Sequence, residues 1–376
     1  MMSARFLTVV LERAFNMRDG FGREIDYMRI SVIDSCNLNC YYCNPCDNNE
    51  HCHALNILSV KEVLCIVRAA TRLGIKHFRL TGGEPLLHPQ LDEMVLQIKK
   101  IPGVSSVSLT TNAVLLVQHA KWLKEAGIDS INVSLDTIDA SEYERITKKP
   151  LLEEVKHGIN AAIECGIRVK INVVLTPQTD VVALTRYVAK KGTDIRFIEM
   201  MPVGEGHTNG VEPYKKVIGT LSKLYGEPCR INTEKTKEIN SGNDKRKIPD
   251  NGPAEYYIFP ELGIRVGLIQ AIHGKFCDTC NRIRVTADGR LMPCLGSSVT
   301  MDLVPDSCEF TDDLEKDFVI VQALKAAIKA KPGCHNFNDN AVTYTKTTET
   351  KTVETKATEL KAAEVNAARN MSRIGG

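Results

Sequence analysis

Three thiols fall within eight residues at Cys36-Asn-Leu-Asn-Cys40-Tyr-Tyr-Cys43, directly after the apolar run Ile30-Ser31-Val32-Ile33. Thiolates at this spacing can hold three irons of a [4Fe–4S] cube and leave the fourth iron open to a small molecule. A structural zinc loop is the competing reading. It needs a fourth protein ligand, for which Cys46, Cys52, His51 and His53 are candidates. A second set follows far downstream at Cys277-Asp-Thr-Cys280, with Cys294 after thirteen intervening residues. It too has three thiols and no obvious fourth; His273, Cys308 or His335 could complete a zinc site. Arg282 and Arg284 lie beside it, two apart on one strand face. A solvated strand face is the plain alternative for such a pair.

The elements that must position these residues repeat from Arg29 to about Met201: an alternating strand, a polar or glycine-rich loop, an amphipathic helix. The pattern predicts six parallel strands near 29–33, 77–81, 106–110, 130–135, 168–174 and 195–199. Helices fit near 59–73, 90–100, 116–126, 153–165 and 180–190, and Gly74, Gly127, Gly166 and Gly192 read as helix stops. Each strand carries polar residues on alternate positions: Arg29 and Ser31, Arg79 and Thr81, Ser108 and Thr110, Asn132, Ser134 and Asp136, Arg168, Lys170 and Asn172. One face therefore meets helices while the other is polar. A filled barrel would line its interior with branched aliphatics. The expectation is a curved or barrel-like sheet with a polar lumen that holds ligand, and Arg29, Arg79 and Lys170 suggest a polyanion. Capping of those cations by acidic residues is the alternative. The conspicuous loops all follow strand C-terminal ends, where such sheets build sites: the cysteine loop, Thr81-Gly82-Gly83-Glu84-Pro85, Thr111-Asn112, Ser134-Leu135-Asp136 and Met200-Met201-Pro202-Val203-Gly204.

The chain of 376 residues is 43% hydrophobic and 25% charged, enough for one large domain and a smaller one. A formal net charge of +2 gives no global argument for nucleic acid or a membrane surface. The apolar run at residues 6–11 is too short to span a bilayer, and the expected location is cytoplasmic. Thirteen cysteines without a secretion signal argue against a disulfide scaffold; Cys65 and Cys165 read as buried thiols, and Cys46, Cys52, Cys229, Cys308 and Cys334 have no assigned role. The expected divisions are an N-terminal extension (1–28), a partial barrel (29–204), a C-terminal α+β region with two hairpins and a helix near 313–330 (205–338), a low-complexity insert (339–370) and a terminal tail (371–376). The insert contains four consecutive pentads, TKTTE, TKTVE, TKATE and LKAAE, whose period matches neither helix nor strand.

The cysteine loop followed by Gly-Gly-Glu-Pro resembles the radical S-adenosylmethionine (SAM) enzymes. FRLTGGEPL, LTTN, INVSLD, IRFIEMMPVG, FCDTCNRIRVTADG with Cys294, and the terminal Gly-Gly resemble the branch that cyclises GTP at the start of molybdenum-cofactor biosynthesis. The resemblance covers about Gly22 to His335 plus the last six residues. It implies a partial (βα)6 TIM-type barrel with a smaller C-terminal region, and a lyase activity. Cys36, Cys40 and Cys43 would hold one [4Fe–4S] cluster, whose open iron chelates SAM; Tyr42, Gly83, Ser134 and Met201 match SAM-contacting positions. Cys277, Cys280 and Cys294 would hold a second cluster, whose open iron binds the guanine. Arg29, Arg79, Thr110 and Lys170 match GTP-binding positions, Arg282 and Arg284 a catalytic pair that also binds GTP, and Gly375 and Gly376 a tail that enters the active site. The implied partners are GTP, a reducing electron donor and, by analogy, a downstream cyclic pyranopterin monophosphate synthase; homodimerisation is left open. Departures from the family pattern occur at Ser35, Asn44, Ala113 and Gly296, and in the pentad insert, whose removal at 345–364 is expected to leave activity largely intact. The alternatives are another two-cluster radical SAM enzyme, such as a peptide-modifying one, and a non-catalytic zinc-binding protein.

Overall fold

The computed structural model describes residues 17–43, 56–203, 211–231, 252–297, 300–303, 313–335 and 337. Asn44, Cys46, His51, Cys52, His53, Gly204, Cys308, the pentads, Gly375 and Gly376 lie outside them. The six expected strands are present as β1 (Tyr27–Ser31), β2 (His77–Thr81), β3 (Ser106–Thr111), β4 (Ser130–Ser134), β5 (Arg168–Val174) and β6 (Asp194–Ile198). They pair in sequence order, all parallel.

Crossover helices cover the apolar face: α1 (Val60–Arg72), α2 (Leu91–Lys99), α3 (Leu116–Glu125), α4 (Ala140–Thr147), α5 (Leu152–Glu164) and α6 (Val181–Lys190). Ser59 opens α1 with a capping box: its Oγ accepts from Glu62 N at 3.3 Å, and Glu62 Oε2 accepts from Ser59 N at 2.8 Å. Gly74, Gly127, Gly166 and Gly192 end their helices at φ of 84°, 88°, 69° and 64°, a region where a Cβ is strained. Helix α4 escapes periodicity because eight residues give only two turns, and its buried side is Tyr143, Ile146 and Thr147.

The later part of the chain adds α7 (Gly219–Tyr225), β7 (Cys229–Ile231), β8 (Glu255–Ile258), β9 (Arg265–Ile269), β10 (Arg282–Val285), β11 (Arg290–Met292), β12 (Met301–Asp302) and α8 (Asp313–Lys329). Both expected hairpins form, β8 with β9 and β10 with β11. Each also donates a parallel strand to an opposite edge of the six: β9 beside β6, and β10 beside β1. The described strands thus make one open sheet, in the order β12-β11-β10-β1-β2-β3-β4-β5-β6-β9-β8-β7. Helix α8 returns onto α1, where Asp317 meets Arg68 and Arg72 at 3.7 and 3.1 Å. Among the described residues no helix is long and apolar enough to cross a membrane.

Candidate active site

A cavity of about 320 Å³ opens on the polar face of the sheet, within the size range of about 300–1,000 Å³ usual for small-molecule sites. All six motif cysteines line it, Cys36, Cys40 and Cys43 from one loop and Cys277, Cys280 and Cys294 from the later segment. Strand register sets the charge between them. Arg29 on β1 is level with Arg79 on β2 and with Arg284 on β10, so three guanidinium-bearing positions form one row across adjacent strands. Arg282 stands one pleat away. Burial, then the neighbouring Arg284, push Arg29 well below the usual arginine value, and burial followed by Arg282 pushes Arg284 down to about 10. Arg284 Nη1 is buried without a hydrogen-bond partner among the described residues. Like charges enclosed together are costly until an anion joins them.

The first loop is framed by carboxylates. Tyr42 donates to Asp136 Oδ2 at 2.5 Å, and Val174 N donates to Asp136 Oδ1 at 2.7 Å. Burial pushes Asp136 up to about 6. Glu84 of the Gly-Gly-Glu-Pro turn is 1% exposed. It accepts from Thr111 Oγ1 and Asn112 N, both at 2.7 Å, and from Leu86 N at 3.0 Å. Asn112 Nδ2 in turn donates to Asn37 Oδ1 at 2.8 Å and to Cys36 Sγ at 3.8 Å. The two glycines are required by close approach: a Cβ on Gly82 would lie 2.3 Å from Ile33 O, and one on Gly83 2.2 Å from Ser35 O.

The second set is framed by cations. Burial works against the Cys280 thiolate, yet the Arg282 and Lys331 charges bring this thiol down to about 7. Lys331 is itself buried and donates to Pro293 O at 2.9 Å. Arg282 stacks over Phe276 at 4.9 Å. Arg23, bonded through Nε to Asp19 at 2.5 Å, reaches 2.6 Å from Cys277 O, 3.0 Å from Gly333 O and 2.6 Å from Pro332 O. Residues 331–337, which follow α8, therefore lie against the second cysteine set, and Lys331, His335 and Phe337 join the cavity wall.

The same architecture is found in known proteins. Residues 30–183 match the radical SAM superfamily, and residues 193–337 match the family described as Molybdenum Cofactor Synthesis C. A GTP 3',8-cyclase of Clostridium perfringens is 36% identical over 324 residues, 85% of this chain and 95% of that protein. Those of Pelotomaculum thermopropionicum and Listeria monocytogenes are each 36% identical, over 85% of this chain and 95% and 92% of theirs. The chain belongs to the GTP 3',8-cyclase family. A solved structure, anSMEcpe with bound AdoMet, shares the fold with a TM-score of 0.50 at 17% identity, covering 81% of this chain and 83% of that one.

Membership of the radical SAM superfamily carries a [4Fe–4S] cluster and SAM with it. The first loop fits such a group. Cys36, Cys40 and Cys43 share one cavity wall, and Gly82 and Gly83 leave the backbone room beside them. Desolvation raises all three thiols, Cys36 to about 12 and Cys43 to about 11, so each needs a cation before it ionises.

Of the other residues that the GTP 3',8-cyclase pattern singles out, Tyr42, Gly83, Ser134, Met201, Arg29, Arg79, Thr110, Arg282 and Arg284 all line the cavity. Arg79 Nη1 is 3.4 Å from Thr110 Oγ1, and its Nε bonds the Tyr27 hydroxyl. Lys170 is buried on β5 outside the wall, with its ammonium 5.9 Å above the Tyr256 ring. Ser108 is likewise no part of the wall; its hydroxyl donates to Phe78 O at 3.3 Å. Two departures have structural consequences. Ala113 stands at φ 66°, where the family's usual glycine would be unstrained. A Cβ on Gly296 would meet His335 Cβ and Phe337 Cε1, both at 2.9 Å, so the Phe337 ring occupies the space beside this glycine.

Sequence reasoning missed Arg196, Glu199, Lys331 and Phe337, and considered His335 only as a zinc ligand. Arg196 donates to Asn172 Oδ1 at 2.9 Å in the register neighbouring β5, and the period-two pattern of β6 carried that signal. Glu199 accepts from Ile272 N at 2.7 Å and pairs with His273, tying the end of β6 to the segment that leads into Cys277. Nothing local marks the 331–337 contacts, because they depend on where α8 ends.

Proposed function

We propose that this chain is a GTP 3',8-cyclase that converts GTP to (8S)-3',8-cyclo-7,8-dihydroguanosine 5'-triphosphate, the first step of molybdenum-cofactor biosynthesis. The observation that carries the reading is the arginine row Arg284–Arg29–Arg79, set between two cysteine sets in one cavity. A triphosphate supplies the anionic charge this row lacks, and charge-assisted bonds to phosphate oxygens are among the strongest available. Thr110 adds a hydroxyl beside Arg79, and Arg282 and Arg284 hold the nucleotide toward the second set. Cys277, Cys280 and Cys294 are the ligands of a second [4Fe–4S] cluster in this reading, and the cationic surroundings of Cys280 favour its thiolate. Tyr42, Gly83, Ser134 and Met201 hold SAM over the first loop, whose carboxylates suit a cationic sulfonium.

When bound, the first cluster and SAM supply a 5'-deoxyadenosyl radical that removes H3' of GTP, after which C3' bonds to C8 of guanine. The chain's own residues fix the ribose between the two sites and neutralise the phosphates. An electron donor, a downstream synthase that takes the product, and the Gly375-Gly376 tail belong to the same proposal. The test is anaerobic incubation of reconstituted, reduced protein with SAM and GTP, with Cys36→Ala as control and mass spectrometry of both products. Deoxyadenosine and cyclised nucleotide together, absent in the control, are expected. Deoxyadenosine without the nucleotide product would overturn the substrate assignment.

A further inference from the structure

Cys334 is the one thiol outside the two motif sets that touches either of them among the described residues. Its side chain is exposed, yet it hydrogen-bonds the thiol of Cys277, which is buried at the cavity wall. The contact is built rather than incidental. A single guanidinium nitrogen, Arg23 Nη1, bonds the carbonyl of Cys277 and the carbonyl of Gly333, the residue before Cys334, at 2.6 and 3.0 Å. On the other side His335 is pinned by Nε2 to Ala271 O at 2.8 Å, and its backbone amide bonds the Cys277 thiol. The segment that carries Cys334 is therefore fixed at both flanks against the segment that carries Cys277.

A thiol that solvent reaches, held against one that solvent does not, is the arrangement of an attacking and a resolving cysteine. We propose that Cys334 and Cys277 form a thiol–disulfide exchange site for low-molecular-weight disulfides of the glutathione type. The Cys334 thiolate attacks one sulfur of the small disulfide, forming a mixed disulfide and releasing one small thiol. Cys277 then attacks the Cys334 sulfur, which forms the Cys277–Cys334 bond and releases the second small thiol. Two protein thiols are oxidised and one small disulfide is reduced to two thiols, which carry the protons away. Added dithiol reverses the sequence. The consequence rests on the reading of Cys277 as a ligand of the second cluster: the bridge takes that ligand away, so the second set refills only after reduction, while Cys36, Cys40 and Cys43 are untouched. Cys334 would thus keep an empty second site in a recoverable form, because a bridged Cys277 is protected from irreversible over-oxidation.

The experiment uses the full chain stripped of iron under argon, treated with glutathione disulfide, then alkylated, digested and mapped by mass spectrometry. The expected result is a Cys277–Cys334 linked peptide, two hydrogens lighter than the sum of its parts, lost again with dithiothreitol and absent from Cys334→Ser. Glutathione persisting on Cys334 without the bridge, or Cys277 joined to Cys280, Cys294 or another cysteine instead, overturns the proposal. Iron and sulfide uptake is then measured in a Cys36→Ala/Cys40→Ala/Cys43→Ala background, where only the second set can load. Bridged protein should take up iron only after reduction. If reduced, unbridged protein also takes up no cluster, the ligand reading fails while the mapped bridge still stands.

Discussion

The two cysteine sets face one cavity but are anchored by opposite charges. Glu84, a buried carboxylate, holds the first loop by accepting from the 111–112 turn, whose Asn112 reaches Cys36. Arg23, a buried guanidinium, holds the second by donating to the carbonyls of Cys277, Pro332 and Gly333. The surroundings follow the anchors: Asp136 raises the Cys40 thiol, whereas Arg282 and Lys331 lower Cys280. One end of the cavity suits a cation and the other a polyanion. A sulfonium cofactor and a nucleoside triphosphate are thereby sorted by charge before shape is involved, so the two ends should respond differently to the same kind of damage.

The largest expected difference is between Cys36→Ala and Cys277→Ala. The first should abolish deoxyadenosine formation altogether, since radical generation belongs to that site. The second should spare deoxyadenosine formation from SAM alone and abolish the cyclised nucleotide. Equal loss of both products in both variants would mean the two sites do not divide the work. Next in size is the second anchor. Arg23→Ala leaves Asp19 and three carbonyls without their donor, and breaking a buried ion pair in this way costs about 4 kcal/mol. Denaturant unfolding should show this loss, with iron lost from the second site before the first.

The first anchor carries a pH signature. Burial pushes Glu84 up to about 7 from 4.5, although three donors pull the other way. Between those values the folded chain binds more protons than the unfolded one, so this group makes stability fall as pH rises from about 4.5 to 7, by about 3 kcal/mol at most. Glu84→Gln should flatten that slope in unfolding measured from pH 5 to 8; an unchanged slope would remove Glu84 as its source. A smaller effect is expected at the arginine row. Arg284→Ala should weaken GTP binding by about 2 kcal/mol, roughly 30-fold in Kd, and leave SAM binding unchanged. Equal weakening of both ligands would contradict the sorting by charge.

Much of this was legible in the sequence because it is local or periodic. The cysteine spacings, the strand alternation behind Arg29 and Arg79, and the glycine stops all survive in the structure with boundaries shifted by a residue or two. What was illegible is register and return. No pattern within β1 or β10 says that Arg29 and Arg284 stand level, since parallel pairing of strands more than 250 residues apart is decided by packing. Lys170 shows the limit of alternation: it shares a strand with the cavity residue Asn172 and is still outside the wall. Arg23 looked like part of an N-terminal extension, and Lys331-Pro332-Gly333 like a helix stop. Their meeting at Cys277 is a tertiary contact with no sequence signal of its own.

The smallest expected effect tests whether that returning segment belongs to the site. Phe337 stacks on His335 with ring centroids 4.2 Å apart and planes 34° apart, and both border Gly296, where related sequences commonly have an aromatic. If Phe337 supplies from the far end of the chain the ring that position 296 lacks, the two positions should compensate. Phe337→Ala alone opens a gap, and Gly296→Phe alone forces a ring into occupied space, at about 2 kcal/mol for overpacking of this kind. Combined, they should cost less than their sum by about 1 kcal/mol, the scale of coupling between residues in contact. Unfolding free energies of the two single variants and the double variant measure this directly. GTP affinity in the same set should recover in the double variant relative to Gly296→Phe. Strict additivity in both readouts would show that the segment only packs behind the second cysteine set and does not shape the nucleotide end of the cavity.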